Sequence, residues 1–514
     1  MTRPTLIAAC APIPTDDLTA DQIAGPYLEA DVYARLLSQA GIRAHYALGT
    51  DDYHSQVDVR AHQLRCAADG VIDPARGSIR RSLQAYSIEP DHFGWRDADC
   101  QAFVRSFFAG LCAAGMLEVR AVDVLRDIKS GAYPTDAWVR GSCPSCLDAT
   151  AGGSCESCGT PNTSLDLLGL DPQRYSVRAR PRLILDLERF RPELERNLSR
   201  LRFQRPGLAR LIRSQLEKPL TPFVLSTEGG RGPALDFAGL PDQRLHASAE
   251  VYAAQLYFLQ RAAGELSASD EYFQFAPLGC AYTHAFVHGA LACAAASCGN
   301  EQPTLGALLT SRLQPVRPNR GARNLIWARE LSDVYSADAL RLYLALSGPE
   351  HSESQFVRRV MDSSIEHLAG SIERLVQIWN QQRHQPDANR APQPPRDVIE
   401  CMQRSTPLAD YSTAELAQRA LNCIDHFAHK AGRPRAGLAR FIPSLLVLSL
   451  EPFCPDYARA VRERFPEAAT RWASLTTSPV AYDLPHWQSR PRASAPDVTV
   501  TSIVTEPVTE VFCR

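Results

Sequence analysis

Two Cys-x2-Cys pairs, Cys143-Pro-Ser-Cys146 and Cys155-Glu-Ser-Cys158, stand eight residues apart, and the second runs into Gly159. Each such turn points two thiolates at one ion, and two of them close a tetrahedral zinc site. Four sulfur ligands leave no open position, so the ion would be structural, stapling a segment too small to bury much apolar surface. A redox pair is the alternative for the same residues. The chain has fifteen cysteines. Its N-terminus lacks the charged start and long apolar run of a secretory leader. A reducing cytoplasm is the expected setting, with clustered cysteines for metal and scattered ones for core filling.

A second stretch draws attention by what it lacks. Cys10 to Asp31 reads CAPIPTDDLTADQIAGPYLEAD and follows the apolar run Thr5-Leu-Ile-Ala-Ala. A strand feeding a helix at the start of an α/β chain is a usual phosphate cradle. This one contains no His, Lys or Arg. Lysine is scarce throughout, with Lys129, Lys218 and Lys430 the three in the chain. A net charge of -2 argues against bulk electrostatic binding of nucleic acid. No apolar run is long enough to span a bilayer, so no membrane partner is expected.

The elements that must position these residues alternate. Thr19 and Gln22 have capping-box spacing, and Ile23, Tyr27, Leu36 and Leu37 continue a helical face to Ala40-Gly41, with Pro26 predicting a kink. Ala44 to Thr50 reads as a second strand ending in Asp51-Asp52-Tyr53-His54. Strand, helix and strand of this length make a right-handed parallel unit whose loops at the strands' C-terminal ends form the site. From about Val119 to Gly239 the alternation is broken by the cysteines, by short strands such as Arg182-Leu-Ile-Leu-Asp-Leu and by an Arg-rich helical stretch. It resumes near Leu245 and ends around Leu346. Beyond Phe356 helical periodicity dominates, interrupted by the Pro-rich stretch from Gln385.

Taken with this layout, Tyr33-Ala-Arg-Leu-Leu, Gly49-Thr-Asp-Asp, Ser336-Ala-Asp-Ala-Leu-Arg-Leu-Tyr-Leu and Glu451-Pro-Phe-Cys-Pro resemble the methionyl-tRNA synthetases, which are class I aminoacyl-tRNA synthetases. The resemblance covers roughly residues 5 to 475. It implies an α/β fold: a Rossmann-like parallel sheet split by a zinc-knuckle insertion and followed by an all-α helical domain. The expected boundaries are residues 1–118 for the first half of the core and 119–239 for the insertion. Residues 240–355 form the second half, 356–475 an anticodon-binding-like domain and 476–514 an extended tail.

The resemblance also implies roles. Ala20, Asp21, Gln22 and Ile23 fall at the family's His-x-Gly-His nucleotide signature, so both phosphate-binding histidines are replaced, and Asp21 would repel a triphosphate unless it met magnesium. Arg317-Pro-Asn-Arg320-Gly falls at the Lys-Met-Ser-Lys-Ser loop, where Arg320 and Arg317, with Arg323, are candidates to neutralise the leaving group. An ordinary solvated basic loop is the alternative. Asp51 falls at the carboxylate that pairs with the substrate α-ammonium, and His284 at a pocket histidine. A helix cap and a satisfied core histidine are the competing readings. Pro12 and Pro14 replace apolar and aromatic wall residues and Ala247 replaces a Trp, which disfavours methionine. Tyr252, Tyr282 and His288 would reshape the space for another acid. Leu375 falls where an RNA-reading Asn is expected, with Arg374 and Arg383 as candidates for phosphate contacts or surface charges.

Three functions fit these residues. One is an ATP- and Mg2+-dependent ligase that activates an amino acid and passes it to a small-molecule acceptor in specialised metabolism, as in hydrazine-forming pathways, where a cupin partner completes the chemistry. Another is a scaffold without catalysis that binds a partner protein, an amino acid or RNA. The third is an orthodox methionine tRNA ligase. The eroded signatures favour the first two, and the retained Asp51 and His284 favour the first.

Overall fold

The computed structural model describes residues 3–313, 326–353, 356–382, 411–429, 441–468 and 487. Five strands make its central sheet: β1 (Thr5–Ala9), β2 (Ala44–Gly49), β3 (His92–Gly94), β4 (Glu271–Pro277) and β5 (Thr304–Ser311). They lie in the order β5-β4-β1-β2-β3, and every neighbouring pair is parallel. The reversal of strand order at β1 opens a crevice beyond the C-terminal ends of β1, β2 and β4, the usual ligand position in such sheets.

The expected kink is present and takes a specific form. Ala20–Gln22 is one short helical turn, Ile23–Tyr27 widens to a π-helix containing Pro26, and Leu28–Gln39 continues as α-helix. Gly25 has a ψ of -114°, and a Cβ there would stand 3.0 Å from the Ser311 side chain, so the kink presses backbone against the end of β5. Pro26 cannot donate into the ladder, and the widened turn accommodates that loss.

Apolar residues fill both faces of the sheet. One core joins the β1 and β4 side chains Ile7, Phe273 and Phe275 to Tyr33, Leu340 and the helices from Arg358 onward. The other packs Leu6, Ala8 and Tyr272 under the helix Ala247–Ala263, the helix Ala98–Ala113 and part of the insertion. Buried polar ties fasten the helical part to the sheet. Arg341 reaches Asp31 at 2.6 Å and the Pro452 carbonyl at 2.7 Å, while Arg205 ties the insertion to the helix Leu28–Gln39 through Glu29 at 2.7 Å.

Within the insertion the expected short strand at Arg182 is the end of a longer one, Tyr175–Leu185, which pairs antiparallel with Glu118–Asp127. Its outer half is Arg-rich and solvent-facing, so no apolar alternation marks it in the sequence. The Pro-rich stretch from Gln385 and, apart from Trp487, the tail lie outside the described residues.

Candidate functional site

The two cysteine turns sit at the ends of two small hairpins, Arg140–Ser142 with Ala149–Ala151 and Gly153–Ser154 with Pro161–Asn162. In each turn the fourth residue after the first cysteine folds back, Leu147 N–H to the Cys143 carbonyl and Gly159 N–H to that of Cys155. Both residues take positive φ, 63° and 76°. At Gly159 a side chain is excluded twice, because a Cβ would also come within 2.7 Å of the Leu278 carbonyl. All four sulfurs lie within 4.8 Å of one another, with Cys143 to Cys158 at 3.8 Å and Cys146 to Cys155 at 3.6 Å. A tetrahedron of Zn–S bonds of about 2.3 Å has edges of about 3.8 Å, so the donor set fits zinc. The Ser145 N–H and the Asn162 amide both point at the Cys143 sulfur, at 3.4 and 3.7 Å, and would stabilise it as a thiolate.

The knuckle lies on the end of β4. A Cβ added at Gly279 would sit 2.9 Å from the Glu156 Cα, which places the second cysteine turn against the turn Leu278–Cys280. A second contact comes from Asp136, whose carboxylate accepts from His246 Nε2 at 2.8 Å. His246 caps the helix Ala247–Ala263, its Nδ1 accepting the Ser248 N–H at 3.1 Å. Burial by itself would depress this imidazole, but Asp136, and more distantly Asp51, raise it above its ordinary value. The insertion therefore closes over the cleft through an ion pair placed beside the crevice.

The floor of the crevice is made at the end of β2. Asp51 N–H donates to the Pro12 carbonyl at 2.9 Å, joining the two strand ends. The Asp51 side chain is buried, and its Oδ1 has no partner. The cap of the following helix, Ser55–Leu64, is His54, accepting the Gln56 N–H at 3.2 Å, so the helix-cap reading of Asp51 is set aside. The cations around Asp51 are committed elsewhere. Arg96 makes a two-pronged pair with Glu250, 2.8 Å to Oε1 and 2.7 Å to Oε2, and donates to the Thr50 carbonyl at 2.5 Å. Arg76 holds Asp52 at 3.0 Å, and Arg231 holds Asp58 at 2.7 Å.

Burial pushes the Glu250 carboxyl above its ordinary range, and the Arg96 guanidinium pulls against that shift. The pair is 1–2% exposed, so breaking it leaves an uncompensated buried charge. Glu250→Gln is expected to cost about 3–5 kcal/mol. Urea unfolding measures this, and a loss under about 1 kcal/mol would mean that water reaches the pair.

The other sequence-derived residues fall as follows. Pro12 and Pro14 are buried in the turn after β1, and Ala247 is the first residue of the helix behind the His246 cap. Tyr282 is buried with its ring stacked 5.1 Å from Phe286. Tyr252 is buried against His288 at 5.2 Å. His284 is buried in the π-helical turn Thr283–His288, and its Nδ1 has no partner, so it is not the fully satisfied core histidine. Leu375 is fully buried in the helical core and is not available to read a base. Arg374 contacts His429 at 2.6 Å, and Arg383 lies outside the described residues, as do Arg317, Arg320 and Arg323.

The phosphate-type turn differs from expectation. Its backbone donors are partly spent, with Ala20 N–H on the Ile326 carbonyl at 2.8 Å and Thr19 N–H on Gln22 Oε1 at 2.9 Å. Asp16 pairs with Arg329 at 3.2 Å, and Asp21 accepts the Thr19 hydroxyl at 2.5 Å. Ile23 is buried at the start of the π segment. The segment 326–328, bridged to Thr19 through Trp327 at the start of the helix Ala328–Ser332, thus covers part of the nest that an anion would use.

Sequence reasoning missed Arg96, Glu250, His246 and Asp136. Arg96 and Glu250 are 154 residues apart, so no local pattern joins them. Two helices here are capped by histidine, outside the usual Ser, Thr, Asp and Asn. A histidine directly ahead of an apolar helical run was the available signal.

These features together are those of a class I aminoacyl-tRNA synthetase fold. Residues 7–238 match the family description "tRNA synthetases class I (M)". A methionine tRNA ligase of Rubrobacter xylanophilus is 24% identical over 407 residues, 72% of this chain and 70% of that protein. One of Christiangramia forsetii is 27% identical over 164 residues, 32% of this chain and 24% of that protein. One of Korarchaeum cryptofilum is 23% identical over 372 residues, 68% of this chain and 66% of that protein. The solved methionyl-tRNA synthetase of Mycobacterium tuberculosis bound by methionyl-adenylate shares the fold, with a TM-score of 0.71 over 95% of this chain and 99% of that one, at 13% identity. The chain is a divergent methionyl-tRNA-synthetase-like protein.

Proposed function

We propose that the protein is an ATP-dependent ligase that activates an amino acid other than methionine and transfers it to a small-molecule acceptor rather than to tRNA. The observation that carries this reading is Asp51. A buried carboxylate oxygen without a partner, among arginines already paired to other groups, is costly unless a ligand cation completes it. The α-ammonium of an amino acid is such a cation, and its carboxylate would then lie toward the turn after β1.

ATP would occupy the crevice above β1 with its phosphates toward Thr19–Ile23, where the side chains supply no positive charge. Arg317 and Arg320 are proposed to supply it. Among the described residues, the four cysteines are the one group of three or more His, Cys, Asp or Glu side chains close enough to hold an ion. Magnesium would arrive with the triphosphate, and its chemistry would be to neutralise the departing pyrophosphate. The burial of Leu375 speaks against base reading and favours a non-tRNA acceptor. An N-hydroxylated amine is the proposed acceptor class, since its hydroxylamine group is nucleophilic enough to displace AMP from an acyl adenylate without help from a strong base.

A scaffold without catalysis is favoured by one observation, the spent Ala20 N–H in the phosphate turn. Amino-acid-dependent ATP–pyrophosphate exchange on zinc-loaded protein separates the two. Exchange with one acid is expected; silence across all common acids, with no ATP binding by calorimetry, would leave the scaffold.

A further inference from the structure

The helix Ala247–Ala263 packs against the π-helical turn Thr283–His288, and several buried polar atoms on these two elements have no partner. His284 and His288 are four residues apart, close to one π-helical turn, with ring centroids 4.7 Å apart edge to face. Both are buried, and both leave Nδ1 unpartnered.

His288 is the more informative of the two. Its Nε2 lies 2.8 Å from the Ser248 carbonyl, which can only accept, so Nε2 carries the hydrogen. Burial holds the ring neutral, down at about 4, and keeps His284 well below its ordinary value as well. A neutral imidazole has one N–H, so His288 Nδ1 is a bare lone pair with nothing donating to it.

Gln255 adds the complementary need. It stands on the same helix as Ser248, and its buried Nε2, a donor, has no acceptor. It lines a small cavity with Ala9, Ala11 and Gly49, at the strand ends that lead to Cys10 and Asp51. Gln274 of β4 shares a sheet face with Tyr272 and Ala276, the face covered by that helix, and its Oε1 is also unpartnered. A buried wall with unmet acceptors and an unmet donor suits a ligand carrying both, and a thioether carries no donor.

Resting on the adenylating reading above, we propose that the substrate amino acid bears a hydroxyl or carboxamide side chain, hydrogen-bonded by His288 Nδ1 and Gln255, and that these two residues with His284 set specificity. The chemistry follows from matching: a site that hydrogen-bonds a polar group discriminates against the analogue lacking it, because its own atoms are then left unpaired.

The test uses the zinc-loaded full chain and pairs of acids of similar shape: threonine with valine, serine with alanine, asparagine with leucine and glutamine with methionine. Binding is read by calorimetry and activation by ATP–pyrophosphate exchange. At least one polar member is expected to bind roughly tenfold or more tighter than its apolar partner, a gap of about 1.4 kcal/mol. Gln255→Leu and His288→Phe are each expected to bring that ratio toward one. Either variant suffices if the other fails to fold. Binding in which no pair favours its polar member, or a ratio that neither variant moves, would overturn this inference and leave the adenylating reading standing. Binding of no acid in the panel would overturn both.

Discussion

Asp51→Ala is expected to weaken binding of the activated amino acid by at least about 100-fold, the roughly 3 kcal/mol that a desolvated charge pair typically carries. The same substitution is expected to leave the ligand-free protein as stable or slightly more so. The reason is the isolation of the carboxylate: its Oδ1 is buried without a partner, while Arg96, Arg76 and Arg231 are held by Glu250, Asp52 and Asp58. Removing a charge whose Oδ1 makes no hydrogen bond, and which acts on His246 and Arg96 only from a distance, relieves desolvation at little loss of favourable contacts. Calorimetry with the acid found by exchange gives the first number, and the urea midpoint gives the second. Unchanged affinity would take Asp51 out of the α-ammonium role. A large loss of stability would show that the carboxylate has a structural partner, and the case built on its isolation would fall.

Cys146→Ser should release the metal and unfold the insertion around it. Apart from the cysteines, this segment has a small apolar centre of Leu125, Val139 and Leu167 with Leu170 and Tyr175 beside it. Structural zinc in small domains contributes about 10–16 kcal/mol of apparent binding free energy, which is folding free energy where no site exists in the unfolded chain. Loss of one thiolate should therefore reduce zinc to well below one equivalent and open residues 136–170 to limited proteolysis. The Asp136–His246 contact would be lost with it, so amino-acid affinity should fall too. A variant that keeps its fold and protease resistance without metal would dispose of the zinc staple.

Both effects depend on how far the site could be read from residues alone. Asp51 was identifiable as a candidate because it ends a recognisable strand, Ala44–Gly49, within a recognisable strand–helix–strand unit. Its isolation was not, because that depends on where three arginines from distant segments find their partners. The histidine caps escaped notice because they perform a task usually given to shorter side chains. Leu375 falls by resemblance where an RNA-reading Asn is expected, and packing places it in the core. The stretch after Thr5–Ala9 has the order of a phosphate cradle, yet the segment at residues 326–328 takes one of its backbone donors.

The short-range part of this protein is legible in its residues. Cysteine spacing, the capping box at Thr19 and Gln22, the kink at Pro26 and the alternation of strand and helix each involve groups a few positions apart, so local sterics and hydrogen bonding suffice. What folding alone decides is the pairing of groups far apart in the chain: Arg96 with Glu250, Asp136 with His246, and the unpartnered state of Asp51, His284 and His288. Such pairings follow from which buried charges end up within reach of one another in a low-dielectric interior. One sequence carries no local record of that choice.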